Sequence, residues 1–297
     1  MNVWIAGARP RTLGAGVGPV LVGTAAAERF IAWRFVAALL VALGLQIGVN
    51  LANDYFDGVR GVDRPDRLGP PRLVASGAAT PRSVASAALV SIFVAAVAGL
   101  ALAIATEPAL ILFVGALALV AAVTYSGGPR PYAGLGLGEV MVFLFFGLMA
   151  TCGTTFVMDE TVSSDAWWSG ATLGLLAVAI LLANNLRDIP TDAEAGKRTL
   201  AVRLGDARTR TFYRACVVGA FATIVLGVFV FLLDEDLGLT QWGLFGLAGW
   251  IVSIRPMQAV GSATGADLIP VLTGTAALHA ATGLLLALGL VLDRAAS

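Results

Sequence analysis

The chain alternates long apolar runs with short polar stretches, and the lengths of the runs set the architecture. A helix needs about 20 mostly apolar residues to cross roughly 30 Å of hydrocarbon. Such runs cover about 13–30, 35–52, 83–104, 108–125, 138–157, 167–185, 212–232, 240–254 and 270–292, which predicts nine transmembrane helices, the run at 240–254 being the shortest. Pro10 and Pro81 stand at helix starts, where a missing amide donor costs little. Trp33, Trp167, Trp168 and Trp242 fall near run ends, where indole rings favour the membrane–water boundary. The expectation is an all-α integral membrane protein, one bundle over residues 1–297.

Composition removes the soluble alternative. Hydrophobic residues make up 58% of the chain and charged residues 13%, with a mean hydropathy of +0.86. Soluble proteins carry about 25% charged residues, so this chain lacks the polar groups to clothe a water-exposed surface. Its 35 glycines suit close helix approach in lipid. Cys152 and Cys216 lie in or beside apolar runs and read as packing residues, neither a disulfide framework nor a metal site. The first run has no clear Ala-x-Ala cleavage site and leads into a chain that stays apolar throughout, so it reads as a span that is kept. No basic stripe interleaved with aromatics occurs, which argues against a nucleic-acid partner.

Net charge is zero, but the cations are segregated. With nine spans, one side receives the N-terminus and the loops after spans 2, 4, 6 and 8, and it holds 16 of the 19 Lys and Arg residues. The other side keeps only Arg29, Arg34 and Arg294, beside the acidic pairs and triplets Asp159-Glu160 and Asp234-Glu235-Asp236. The positive-inside rule puts the richer side, and the N-terminus, in the cytoplasm, across a cell membrane. The large polar loops on that side are 53–82, 125–137 and 186–211.

Two of those loops open with related polar segments. Residues 51–63 read LANDYFDGVRGVD and residues 181–192 read LLANNLRDIPTD. Aligned at a spacing of 131, Asn53 and Asp54 fall on Asn184 and Asn185, and Asp57 on Asp188, which suggests two weakly repeated halves. If the helix continues, Asn53 and Asp57 are i,i+4 and share a face with Asp54. Asp188 and Asp192 are also i,i+4, although Pro190 predicts a kink or a fresh turn between them. Polar groups at membrane depth are expensive and usually functional. Facing carboxylate clusters repel unless a cation intervenes, and Mg²⁺ is commonly held by a few carboxylates plus substrate phosphates. No histidine stands at either cluster; His279, the only one, lies in the last run and reads as a packing or hydrogen-bonding residue. Arg60, Arg64, Arg67 and Arg72 follow the first cluster, and Arg187, Lys197, Arg198 and Arg203 surround the second. Metal-bridged oxygens beside Arg and Lys suit a diphosphate, and the membrane setting adds a lipid tail. Two activities remain open on this evidence: ionisation of the carbon–oxygen bond at the diphosphate, or binding for transport or hydrolysis.

The chain resembles the intramembrane aromatic prenyltransferases, and within them the branch acting on 1,4-dihydroxy-2-naphthoate in menaquinone biosynthesis. RPRTL at 9–13, NDYFDGVRGVD at 53–63, YSGGPRPY at 125–132 and NNLRDIPTDAEAGKRTLAVRLG at 184–205 carry the resemblance. The first motif of those enzymes, Asn-Asp-x-x-Asp-x-x-x-Asp, matches Asn53, Asp54 and Asp57, but position 61 is Gly and the next acid is Asp63. Asp188 and Asp192 match the second motif. The resemblance implies two Mg²⁺ ions, one on Asp54 and Asp57 and one on Asp188 and Asp192, with Asn53 and Asn184 ligating or orienting. It implies diphosphate contacts from Arg60, Arg187, Lys197 and Arg198, and shelter of an allylic cation by Tyr125. Arg11 and Arg130 are candidates for the carboxylate of the acceptor. The implied reaction joins a polyprenyl group from polyprenyl diphosphate to 1,4-dihydroxy-2-naphthoate, releasing diphosphate and CO₂ to give demethylmenaquinol. The alternatives are another aromatic acceptor on the same fold, or a secondary transporter, which would place its polar groups nearer the middle of the membrane.

Overall fold

The computed structural model describes residues 2–62, 72–128 and 131–296, and among these it contains helices and no strand. The order is α1 (Val3–Ala8), α2 (Pro10–Ala25), α3 (Ala32–Val59), α4 (Pro81–Ala105), α5 (Pro108–Thr124), α6 (Gly138–Val142), α7 (Ala150–Asp159), α8 (Ser164–Glu194), α9 (Leu200–Leu204), α10 (Asp206–Leu233), α11 (Trp250–Ala259) and α12 (Leu268–Ala296). A π-helical stretch, Phe143–Met149, joins α6 to α7 into one rod. Each of the nine expected runs falls on a helix. Six helices are long and apolar enough to cross a membrane: α3, α4, the Gly138–Asp159 rod, α8, α10 and Gly265–Ala296. The other three are shorter or broken. They are α2, α5 and the 240–254 run, which is a 3₁₀ coil over Gln241–Gly249 running into α11.

Burial ranks the helices. In α8, 72% of the apolar window is buried, against 28–44% in the other five long helices, which makes α8 the central post. It packs against α10, α12 and the π-helical stretch, while α3 packs chiefly on α4 and α2 on α12. Contact with the π-helical stretch needs small residues. A Cβ on Gly147 would come within 2.7 Å of the Gly170 carbonyl oxygen, so the two backbones touch directly. Outward, large apolar side chains stand bare: Phe93, Ile104, Phe113, Leu233 and Ile251 are among them. Such a belt is stable only against lipid.

The two polar segments lie in helix, not in loop. Helix α3 continues through Asn53, Asp54 and Asp57, and α8 through Asp188 and Asp192, so the expected loops at 53–82 and 186–211 begin later. Pro190 does not restart the helix; α8 runs unbroken through it to Glu194. Both helices then stop in the same way. Gly61 and Gly196 take left-handed φ values of 69° and 73°. The next amide in each case, Val62 N or Lys197 N, donates back to the carbonyl of Asp57 or Asp192. This is a Schellman termination, which strongly favours glycine. It gives a physical reason for glycine at position 61, where the related motif carries an acid. It also puts the structural correspondence at Asp57 with Asp192, one helical turn from the alignment read on sequence.

Candidate active site

A cavity of about 1050 Å³ opens inside the bundle, with a polar end formed by α2, α3, α8 and the segments that follow α5 and α8. Asn53, Asp54, Asn184, Arg187, Asp188, Asp192, Lys197, Tyr125 and Arg11 line it. Asp57 is buried just behind Lys197, whose Nζ lies 3.4 Å from Asp57 Oδ2. That contact ties the end of α8 to the end of α3, so the two polar segments meet at one cavity without packing helix on helix.

Asp54, Asp57 and Asp188 each have a cationic or amide partner. Asp54 accepts from the Leu73 and Val74 amides at 2.8 and 2.9 Å, which pins the chain entering α4 to the side of α3. Arg187 donates through Nε and Nη2 to both oxygens of Asp188, at 2.7 and 2.9 Å, and through Nη2 to Asn184 Oδ1 at 3.0 Å. Helical spacing explains the second contact, since residues 184 and 187 are i,i+3. Burial pulls the Lys197 ammonium down, but the Asp57 and Asp192 carboxylates, the Tyr125 phenol and the Asp57 hydrogen bond outweigh it and hold its pKa raised. Lys197 is therefore a firm cation at the cavity wall.

Tyr125 and Tyr132 meet edge to face, ring centroids 5.4 Å apart, and both line the cavity. Burial raises the Tyr132 phenol above its ordinary value. Both rings are neutral at physiological pH, and an electron-rich face beside an apolar space is suited to a passing cation.

The remaining expected residues are placed less uniformly. Arg60 is turned away from the cavity: its guanidinium donates to the Ser126 and Gly128 carbonyls at 2.9 and 2.6 Å and covers the Phe56 ring. Arg198 is exposed and off the cavity wall. Arg130 lies outside the described residues, as do Asp63 and Asp66. Sequence reasoning grouped Arg72 with the cations that follow the first cluster and gave Arg9 no role at the site; both line the polar end. Arg9 does so from a left-handed turn at φ 56° between α1 and α2, immediately before Pro10. Gln46 and Asn50, two turns and one turn deeper on α3 than Asn53, also line the cavity, held by the Thr12 and Ala8 carbonyls. Their i, i+4, i+7 spacing with Asn53 was the available signal.

The donor set fits a hard divalent cation in kind. Four buried carboxylates are available, and Asn53 Oδ1 is buried with no hydrogen-bond partner among the described residues, so oxygen ligands predominate. As the side chains stand, no three His, Cys, Asp or Glu groups among the described residues form a metal-holding cluster.

Residues 16–268 match the UbiA prenyltransferase family. A 1,4-dihydroxy-2-naphthoate octaprenyltransferase from Mycobacterium tuberculosis is 46% identical over 92% of this chain and 91% of its own length. In fold, the chain is similar to a UbiA homologue from Aeropyrum pernix solved in the apo form, with a TM-score of 0.69 at 18% identity, covering 95% of this chain and 97% of that one. It is also similar to a UbiA homologue from Archaeoglobus fulgidus bound to DMAPP and Mg²⁺, with a TM-score of 0.60 at 16% identity, covering 95% and 98% of the two chains. The matched residues span both polar segments and most of the cavity lining, and the chain belongs to the UbiA prenyltransferase family.

Proposed function

We propose that this protein transfers a polyprenyl group from polyprenyl diphosphate to 1,4-dihydroxy-2-naphthoate, releasing diphosphate and CO₂ to give demethylmenaquinol. The observation that carries the reading is the joining of two carboxylate helices, through the Lys197–Asp57 contact, at the polar end of a largely apolar cavity. The naphthoate is favoured over other aromatic acceptors by the 46% identity to the mycobacterial enzyme of that name. The charge distribution supports nine crossings with the N-terminus and the polar end on the cytoplasmic side of the cell membrane.

Asp54, Asp57, Asp188 and Asp192 would hold Mg²⁺, two ions in this reading, with Asn53 and Asn184 beside them. When bound, the metal makes diphosphate a better leaving group by taking up its developing negative charge. Arg187 and Lys197 stand one bond from the same carboxylates and take the remaining phosphate charge. The tail lies in the apolar arm, where water is excluded. Tyr125 and Tyr132 face the allylic carbon as its bond to oxygen breaks. Arg11, on the cavity wall, faces the acceptor carboxylate, and Arg130 remains the second candidate for it. The ring carbon bearing the carboxylate attacks the allylic carbon, and the pair from the breaking C–CO₂ bond returns to the ring as CO₂ departs.

The test is product formation by purified, lipid-reconstituted protein given a polyprenyl diphosphate and 1,4-dihydroxy-2-naphthoate, with and without Mg²⁺. Metal-dependent coupling with CO₂ release, lost in Asp57→Ala and Asp188→Ala, is the expected result. Folded wild-type protein that couples no naphthoate with any divalent metal overturns the assignment.

A further inference from the structure

The apolar arm of the cavity contains two glycines that packing does not explain. Gly115, midway along α5, and Gly153, on α7, both line the arm. A Cβ built on either meets nothing within 4 Å, whereas one on Gly174 would lie 2.8 Å from Phe143. Neither glycine has a positive φ. Inside a helix, glycine costs about 0.5–1 kcal/mol relative to alanine, so two that are neither strained nor crowded leave open volume as their structural effect. The space between them is real: α5 packs on α4 and α3 and makes no comparable packing against the α6–α7 rod.

This arm is continuous with the polar end, where Asn53 Oδ1 is buried without a partner among the described residues. The two glycines stand at different depths. At about 1.5 Å per helical residue, Gly115 lies about 15 Å along α5 from Tyr125. Gly153 lies about 20 Å along the rod from Glu139, which Asn185 holds beside α8 at 3.1 Å.

We infer that Gly115 and Gly153 set the length of isoprenoid tail this protein accepts, Gly115 bounding the nearer part of the passage and Gly153 the farther part. The inference rests on the prenyl-transfer reading and adds the residues that select the donor. A bulky side chain at either position fills the passage and leaves the polar end intact.

The experiment uses the full chain in lipid, wild type against Gly115→Phe, Gly153→Phe and the corresponding Ala variants. Donors are prenyl diphosphates of increasing length from the five-carbon dimethylallyl compound upward, and products are sized by mass spectrometry. Both Phe variants should still couple the five-carbon donor and lose about tenfold or more on long ones, since even a methylene of misfit is worth about 10-fold. The cutoff should fall at a shorter donor for Gly115→Phe than for Gly153→Phe, with smaller losses for Ala. Long donors coupled as well by the Phe variants would mean that the tail leaves between α5 and α7 into lipid, and the inference falls. Equal losses at every length, the shortest included, overturn it too, by making the effect one of folding. If wild-type protein couples no donor at all, the failure belongs to the prenyl-transfer reading.

Discussion

Replacing Arg187 with methionine isolates the strongest polar contact in the site. The Arg187 and Asp188 side chains are 3% and 4% exposed, and the guanidinium makes two parallel bonds to the carboxylate plus one to Asn184. Removing one partner of such a buried pair strands the other charge, at about 3–5 kcal/mol. For a chain of this size each kcal/mol moves the melting point by roughly 2–4 °C, so the expected fall is roughly 6–20 °C. Thermal unfolding of purified protein in detergent reads it directly. The control is the double variant Arg187→Met/Asp188→Asn, which removes the stranded charge and should regain more than half of the loss. Arg187→Lys should fall between, because an ammonium keeps the charge but not the two-pronged geometry. Coupling activity should not return in the double variant, separating the fold from the chemistry. If Arg187→Met melts within about 2 °C of wild type, or the double variant does no better than the single, the pair is not a coupled buried unit and the reasoning fails.

Three further outcomes follow from the same geometry. Asp54→Asn leaves one of the Leu73 and Val74 amides without an acceptor, at about 1–3 kcal/mol, and hydrogen exchange at those two amides should speed up while the core of α8 is unchanged. Gly147→Ala forces the π-helical stretch off α8 and should cost about 1–3 kcal/mol, read as a lower melting point; an unchanged value would mean that the backbones are not in contact. Lys197 has a raised pKa, so its contribution to stability is full below its ordinary value of 10.5 and is lost as pH rises through the raised value. The stability gap between wild type and Lys197→Met should therefore stay flat from neutral pH to about 10 and close only above that.

Legibility differed by element. Apolar runs located every long helix, because hydrocarbon tolerates no unpaired backbone and leaves little else for such runs to do. Their ends were less readable. Asn53, Asp54 and Asp57 look like the start of a loop, since polarity marks solvent in most chains. Here they sit in the last turns of α3, where Asn53 and Asp54 line a cavity and Asp57 is buried behind Lys197. Gly61 was the better boundary signal, and it was visible as a mismatch to the acid of the related motif. Pro190 misled in the other direction, because a helix held on several sides absorbs one missing amide. The acids themselves were legible by residue type and spacing. Their present partners were not: the Asp54 contact with Leu73 and Val74 spans about twenty residues, and the Asp57 contact with Lys197 spans 140. Local periodicity carries no information at that range. Arg60 shows the same limit, since nothing in its neighbourhood announces that its charge serves the Ser126 and Gly128 carbonyls.

At the end of the bundle away from the polar mouth, two arginines are spent on main-chain carbonyls. Arg34 donates to Ala105 O and Val157 O at 2.7 Å, and Arg294 to Ala25 O at 2.6 Å and to Ala27 O. Each thereby ties together the closing turns of helices distant in sequence, where the unfulfilled carbonyls carry partial negative charge. A rule that counts cations to orient a membrane protein treats these residues as contrary votes. In the folded molecule they are stitches along a hem, joining α3 to α4 and α7, and α12 to the end of α2, at the rim farthest from the chemistry. Exchanging either for a neutral side chain would sharpen the charge asymmetry that inserts the protein while loosening the seam that keeps it closed.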